Sequence, residues 1–475
     1  MIKSNSNSSL DSLSSHLSGA DMSDYVLELS KAKSSQTLTL RRKCLQVTVS
    51  SVLKKLLVNK MEVSTFMEII NSNNTEQIIK LSEDIQKLCD TCPEAISNIT
   101  NSEEALESYA NLLMFSENEN LTKSLLNAFS AIFPYSNENM EVLINCLSLQ
   151  FYNLFETATP LTILPTIDLI KVVSRYSSYG RNTLLCYSVH EMLSSLALST
   201  ADQTISVNCC SALESIFGNS EKVECEIIES FIPNLIQLLT LPYDQSKSFI
   251  MLTMSHISTQ MPCAVNKLCL AGVHIAVLQS LQIEFLHSSC LKLITNLVAA
   301  DISYVQQMIE NRLVDCLLVF MDSEKTAEAL LILSILVERL PEIVETLLPK
   351  DFVENLIELA NCSPFAVKKQ SIYFIATEIF VLDQNSVEKM IKPEIIELLV
   401  EMLVSGQKEV ILRCLQAMGN LTHVAICTGN ANLYATYLQE TDIFKALSEL
   451  GENRLSAISD RAISLTSKLN TVFHA

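Results

Sequence analysis

The residues of this sequence that could do catalytic or metal chemistry are dispersed. Cys89 and Cys92 form one C-x-x-C, but no second pair and no nearby histidine completes a zinc site. No H-E-x-x-H, Walker, Rossmann or G-x-S-x-G motif is present. The histidines within helical patterns occur singly: His190, His256, His274 and His423. The sequence therefore predicts no enzyme, no metal site and no cofactor.

Cations are concentrated near the N-terminus. Residues 1–60 hold nine Lys or Arg against four Asp or Glu, about +5, whereas the whole chain carries −20 and residues 61–475 about −25. Five cations lie in ELSKAKSSQTLTLRRK, residues 28–43: Lys31, Lys33, Arg41, Arg42 and Lys43. A basic arm beside an acidic body predicts an arm that lies on the body, or a body that recruits basic partners. An acidic body repels phosphates, so direct nucleic-acid binding is not expected.

The elements that would position binding residues are amphipathic helices recurring at a nearly fixed interval. In residues 290–337, apolar residues such as Leu291, Ile294 and Leu297 are spaced by three positions. The pattern restarts near residues 76, 121, 163, 204, 247, 289, 326, 368, 411 and 456, at spacings of 37–45 residues. That interval is the period of armadillo and HEAT arrays. It predicts an all-α, right-handed superhelical solenoid of about ten repeats over residues 61–475, after a disordered Ser/Asn-rich and basic arm over residues 1–60.

Composition agrees with this architecture. A chain of 475 residues is too long for one core, and no internal linker divides it. Most of the 15 cysteines lie on apolar helical faces and no secretory signal is visible, which predicts reduced thiols in an intracellular protein. No apolar run approaches the length of a membrane span, so no membrane partner is expected. Six of the prolines are predicted to lie at the corners between helices: Pro134, Pro233, Pro341, Pro349, Pro364 and Pro393.

The basic arm resembles the end of the importin-β-binding segment of the importin-α family. There a Glu-Leu-x-Lys-x-Lys run leads into an Arg-Arg cluster, and the matching residues here are Glu28, Leu29, Lys31, Lys33, Arg41 and Arg42. Ser and Asn replace the arginine-rich first half of that segment. The resemblance implies that an importin-β-like carrier binds Lys31, Lys33, Arg41, Arg42 and Lys43. The alternative is a solvated basic arm.

The body resembles the same family. CLKLITNL (290–297), KKQSIYFIATEI (368–379) and CLQAMGNL (414–421) are similar to its third helices, and residues 441–473 to its C-terminal cap. In that family, Trp and Asn one turn apart on successive third helices line a peptide groove, but this chain has no Trp. The corresponding pairs that lack both residues are Asn127 and Ala131, Ile170 and Ser174, Ser211 and Ser215, Leu252 and His256, and Leu331 and Ile335.

Part of the binding pattern remains towards the C-terminus. The resemblance implies peptide-binding roles for Lys292, Asn296, Tyr373, Thr377 and Asn420. It also implies an importin-α-like adaptor, cytoplasmic and nuclear, that binds basic or extended cargo peptides for nuclear import through degenerate signal-binding sites. The alternative is an armadillo-repeat interaction scaffold unrelated to transport.

Overall fold

The computed structural model describes residues 62–473, apart from residues 115, 117, 137, 138, 405 and 406. These residues divide into two compact units, with the division after Thr183. Long helices, each the third helix of a repeat, begin at residues 75, 119, 163, 203, 244, 287, 326, 365, 408 and 456. Every start lies within three residues of its predicted position, which confirms an all-α solenoid of armadillo-type repeats.

The first unit contains the repeats before the division. Its helices are α1 (Val63–Asn71), α2 (Thr75–Thr91), α3 (Ser97–Thr100), α4 (Glu103–Met114), α5 (Glu119–Ile132), α6 (Met140–Glu156), α7 (Ile163–Tyr176) and the start of α8 (Ser178–Cys186). The third helices α2, α5 and α7 pack in series. Tyr109 on α4 is fully buried between Phe66 and Phe129, at ring distances of 5.5 and 4.9 Å, and its hydroxyl lies 2.6 Å from Ser82 Oγ. This hydrogen bond satisfies the one polar atom in an otherwise apolar cluster.

The second unit contains the remaining repeats. Its helices after α8 are α9 (Val189–Ser199), α10 (Gln203–Phe217), α11 (Cys225–Leu238), α12 (Asp244–Gln260), α13 (Cys263–Leu270), α14 (Val273–Ser280), α15 (His287–Leu297), α16 (Ile302–Glu310), α17 (Leu313–Leu318), α18 (Thr326–Arg339), α19 (Ile343–Thr346), α20 (Phe352–Cys362), α21 (Phe365–Val381), α22 (Gln384–Glu388), α23 (Pro393–Leu403), α24 (Lys408–Cys427), α25 (Ala431–Gln439), α26 (Ile443–Gly451) and α27 (Ser456–Phe473). The third helices α10, α12, α15, α18, α21, α24 and α27 each pack against the next.

Burial of the third helices follows the apolar pattern of the sequence. Leu291, Ile294 and Leu297 on α15 are fully buried, as predicted. Each of these helices needs its neighbours to cover its buried apolar residues. The repeats therefore form one continuous core along each unit.

Left-handed backbone marks the corner before the second helix of three repeats. The residue preceding α9, α14 and α17 has positive φ in each case: 55° at Ser188, 83° at Gly272 and 67° at Arg312. This conformation turns the chain sharply at the end of the first helix, and glycine adopts it without strain. The corner is thus set by backbone geometry even where the residue is not glycine.

Proline placement agrees with the prediction at five of the six positions. Pro134 lies in a short 3-10 helix, Pro341 and Pro349 lie between helices, and Pro364 and Pro393 lie at helix starts. Pro233 is the exception because it lies inside α11. It removes one backbone N–H from the hydrogen-bond ladder, and the buried apolar face of α11 keeps the helix continuous.

Helix α24 meets the length and hydropathy of a membrane-spanning helix, with 20 residues and a mean hydropathy of 1.3, although the sequence analysis expected no such segment. It packs instead as a core helix against α21, α23 and α27, and 61% of its apolar window is buried within the protein. Apolar residues occur on several faces of α24 because neighbouring helices cover it on several sides.

Candidate functional site

A continuous row of accessible side chains runs across five successive third helices, α12, α15, α18, α21 and α24, in the second unit. On each helix these side chains recur at short helical intervals and form one face. We call this set the third-helix face: Leu252, Ser255, His256, Thr259, Lys292, Thr295, Asn296, Leu331, Ile335, Glu338, Arg339, Lys369, Tyr373, Phe380, Leu412, Gln416, Asn420 and His423. It includes every predicted peptide-binding residue except Thr377.

Lys292 and Asn296 lie one turn apart on α15. The Lys292 side chain is exposed and forms no ion pair within the described part of the chain. Asn296 Nδ2 donates to the Ser255 carbonyl oxygen at 2.9 Å and to Thr259 Oγ1 at 3.2 Å, both on α12. The amide protons are therefore engaged between helices, and Asn296 Oδ1 remains as the acceptor for a ligand.

Tyr373 and Thr377 have different surroundings on α21. Tyr373 is half-buried on the third-helix face, whereas Thr377 is fully buried and donates its hydroxyl to the Tyr373 carbonyl oxygen at 2.8 Å. Four residues advance a helix by slightly more than one turn, and α21 is covered on enough sides that this shift moves residue 377 into the core. Thr377 offers no accessible surface to a peptide.

Asn420 on α24 repeats the arrangement of Asn296. Its Nδ2 donates to the carbonyl oxygens of Ile379 and Phe380 at 3.1 and 3.3 Å, at the end of α21. Those carbonyls belong to the last turn of a helix, where no intrahelical partner is available. Asn420 thus joins two repeats and keeps only its Oδ1 for a ligand.

The same type of contact recurs along the second unit. Gln260 Nε2 donates to the carbonyl oxygens of Phe217 and Asn219 at 2.7 and 3.1 Å, and Arg339 Nη1 donates to the Val298 carbonyl oxygen. In each case a side chain on one third helix binds the backbone of the preceding third helix or of the residues just after it, and Asn296 binds the Ser255 and Thr259 hydroxyls as well. We call these four side chains the inter-repeat clamps: Gln260, Asn296, Arg339 and Asn420. The two asparagines were predicted to bind peptide, whereas their role between repeats is visible only in the contacts of the folded chain.

Arg413 on α24 forms a cluster that the sequence analysis did not single out. Its Nη2 lies 2.6 Å from Glu338 Oε1 on α18, and its Cζ lies 4.8 Å from the Phe380 ring centroid and 5.8 Å from that of Tyr373, both on α21. Burial lowers the pKa of Arg413, but its hydrogen bonds and charge interactions with Glu338 and Tyr373 together raise it above the usual value, so the guanidinium remains charged. One side chain thus connects three successive repeats.

Charges on the third-helix face are mostly positive. The charged residues among those that define the face are three cations, Lys292, Arg339 and Lys369, and one carboxylate, Glu338. The carboxylate is paired with Arg413. The residues that define the face therefore carry a net positive charge, whereas the chain as a whole carries −20. A Lys-rich peptide would meet like charge here.

Several positions that correspond to the family's Trp and Asn sites are in the core. Ile170 and Ser174 in the first unit are fully buried, and Ser174 Oγ donates to the Ile170 carbonyl oxygen at 2.8 Å. Ser211 and Ser215 in the second unit are buried, with Ser215 Oγ donating to the Ser211 carbonyl oxygen at 3.0 Å. A hydroxyl that bonds its own helix does not bind a peptide backbone.

The predicted carrier-binding cations lie outside the described residues: Lys31, Lys33, Arg41, Arg42 and Lys43. Within the described ranges, no three His, Cys, Asp or Glu side chains cluster as metal ligands. Cys89 and Cys92 are both buried, and burial, with a smaller contribution from Asp90, raises the pKa of Cys89 to about 12. A protonated buried thiol is a poor ligand and a poor nucleophile.

Comparisons with solved structures bear on the fold. A crystal structure of an engineered protein from the Northeast Structural Genomics Consortium matches with a TM-score of 0.66 and 16% identity, over 86% of this chain and 99% of that chain. A designed armadillo repeat protein in complex with the peptide (KR)4 matches at 19% identity and a TM-score of 0.44, over 50% of this chain and all of that chain. No family model and no curated protein matches the sequence. At these identities, similarity to solved structures establishes the repeat fold alone.

Proposed function

We propose that this chain is a non-enzymatic scaffold that binds an extended peptide segment of a partner protein along the third-helix face. The observation that carries the proposal is the unbroken row of accessible polar, aromatic and cationic side chains across five packed helices. Exposed Phe380 and half-buried Tyr373 lie on this face at α21, and exposed Lys292, which has no ion pair among the described residues, lies on it two repeats earlier at α15; a surface built only for stability has no need of them.

The available hydrogen-bonding groups suit a peptide backbone. Asn296 and Asn420 hold their amide protons in the inter-repeat clamps, so each presents Oδ1 to a backbone N–H. An extended peptide exposes an N–H to the same side at every second residue, which suits acceptors fixed on separate helices. Lys292 and Lys369 would then pair with acidic side chains of the partner.

Nuclear import is the second candidate function, and the basic arm is the observation that favours it. Lys31, Lys33, Arg41, Arg42 and Lys43 match the end of an importin-β-binding segment. In that case the chain would move between cytoplasm and nucleus with an importin-β-like carrier and a cargo peptide. The basic third-helix face and the absence of Trp give this candidate less support than the scaffold, because a basic import signal needs acidic and indole partners.

Peptide selection on the full chain tests the scaffold proposal. We expect peptides selected from a random display library to protect α12, α15, α18, α21 and α24 from hydrogen exchange. Lys292→Ala should weaken their binding about threefold to tenfold, whereas Lys350→Ala, an exposed lysine on the loop before α20, should leave it unchanged. Protection confined to first and second helices would contradict the proposal.

A pull-down separates the two candidates. We expect an importin-β-like carrier to bind the full chain only if the import function is present. Simultaneous replacement of Lys31, Lys33, Arg41, Arg42 and Lys43 by Ala should then abolish that binding and leave peptide binding intact. Absence of carrier binding by the unaltered chain would leave the scaffold alone.

A further inference from the structure

The cluster around Arg413 has the composition of a binding site for a cationic side chain. Two aromatic rings and one carboxylate surround the guanidinium, at 4.8 Å from Phe380, 5.8 Å from Tyr373 and 2.6 Å from Glu338. Aromatic faces attract cations, and a carboxylate adds a charge-assisted hydrogen bond. Such a set would hold the Lys or Arg of a bound peptide equally well.

The cluster also has the accessibility of a binding site. Phe380 is 39% exposed, and the Glu338 side chain is 41% exposed, whereas the Arg413 side chain is only 10% exposed. The rings and the carboxylate thus open onto the third-helix face, and the guanidinium fills the space between them. A ligand cation cannot enter because an internal cation already occupies that space and neutralises its carboxylate.

We propose that Arg413 is a specificity-determining residue that excludes Lys and Arg side chains of partner peptides from this part of the third-helix face. The inference rests on the proposed function, since it concerns the peptides that this face accepts. Arg413 also links three repeats, and its removal is expected to lower stability for that reason alone. The specificity role predicts in addition that the unaltered chain does not favour a cationic ligand at this cluster, and that removal of Arg413 makes the cluster accept one.

A small probe tests the inference independently of peptide binding. N-acetyl-arginine amide and its neutral citrulline counterpart are titrated by saturation-transfer NMR against the unaltered chain, R413A, and R413A combined with Glu338→Gln. We expect no preference in the unaltered chain and at least about a tenfold preference for arginine in R413A, about 1.4 kcal/mol. Glu338→Gln should remove that preference, and Arg461→Ala, at an exposed arginine of α27, should not create one.

Folding of the variants is followed by circular dichroism and by thermal unfolding in the presence of each probe. Arginine should raise the melting temperature of R413A more than citrulline does, because a ligand that binds the native state stabilises it. If R413A does not fold, Arg413→Gln replaces it with the same expected preference. Arginine selectivity in the unaltered chain, or its absence in folded R413A or folded Arg413→Gln, would overturn the inference. Failure of all peptides to bind while the probe result holds would contradict only the proposed function.

Discussion

Glu378 provides a test of how the structure depends on pH. This carboxyl group on α21 is 4% exposed, and its Oε2 has no hydrogen-bond partner among the described residues. Burial, with a smaller contribution from the negative charge of Glu354, raises the pKa of Glu378 from 4.5 to about 7. Glu354 is itself held by Lys392 at 2.7 Å, so its charge persists beside the buried group.

The sign of the effect follows from proton binding in the two states. Between pH 4.5 and about 7 the unfolded chain loses the proton of Glu378 while the folded chain keeps it, so stability falls as pH rises through this window. A shift of this size amounts to about 3 kcal/mol once the pH exceeds the folded-state pKa. Glu378→Gln, which stays neutral, should remove that loss.

Urea unfolding at two pH values measures the difference. The free energy of unfolding of Glu378→Gln is compared with that of the unaltered chain at each pH. We expect this difference to favour the variant by about 2–3 kcal/mol more at about pH 8 than at about pH 5. Glu397→Gln, at an exposed residue of α23, should give the same small difference at both pH values. An equal effect of Glu378→Gln at both pH values would refute the reasoning, because it would show that Glu378 is ionised in the folded chain throughout.

Three further predictions concern packing, clamping and thiol chemistry. In thermal unfolding, Gly419→Ala in α24 should stabilise the protein by about 0.5–1 kcal/mol, because the added Cβ meets nothing within 4 Å. Gly180→Ala should destabilise it by about 1–3 kcal/mol, because the added Cβ would lie 2.6 Å from a Val173 methyl carbon. A change of the same sign for both variants would contradict this packing. Asn420→Ala should destabilise by about 1–2 kcal/mol by removing two bonds to α21, and an unchanged melting temperature would contradict the clamp. Brief alkylation of the native chain near pH 8, followed by mass spectrometry, should modify exposed Cys186 and leave Cys414 unmodified, because burial raises the pKa of Cys414 to about 12. Equal modification of the two thiols would contradict that burial.

Much of the fold could be predicted from the sequence because it depends on local patterns. The start of each third helix follows from the recurrence of apolar residues, and Leu291, Ile294 and Leu297 are buried because their spacing puts them on one helix face. Pro233 was misplaced because a proline removes only one hydrogen bond, which tertiary packing of α11 can offset.

The candidate site was less predictable because its contacts join residues about 40 positions apart. The engagement of Asn420 with Ile379 depends on how closely α21 and α24 approach, and no local pattern gives that distance. Arg413 lies between Leu412 and Cys414, and nothing in this local sequence distinguishes it from other isolated charges on amphipathic helices. Its role depends on Glu338, 75 positions earlier in the chain. A cation that follows an aromatic residue by about one repeat length is the signal that would have identified it, because Arg413 comes about 40 positions after Tyr373.

The inter-repeat clamps bear on how such an array tolerates mutation. Three of the four clamps, Gln260, Arg339 and Asn420, donate from a side chain to backbone carbonyls, as in Arg339 with Val298 or Asn420 with Ile379. Every residue type supplies a carbonyl, so the accepting position can change its side chain freely while the bond persists. For these three contacts, only the donor residue must then be retained. A contact of this kind therefore constrains the sequence of one repeat of the pair and leaves the residue type at the accepting position of the other repeat free.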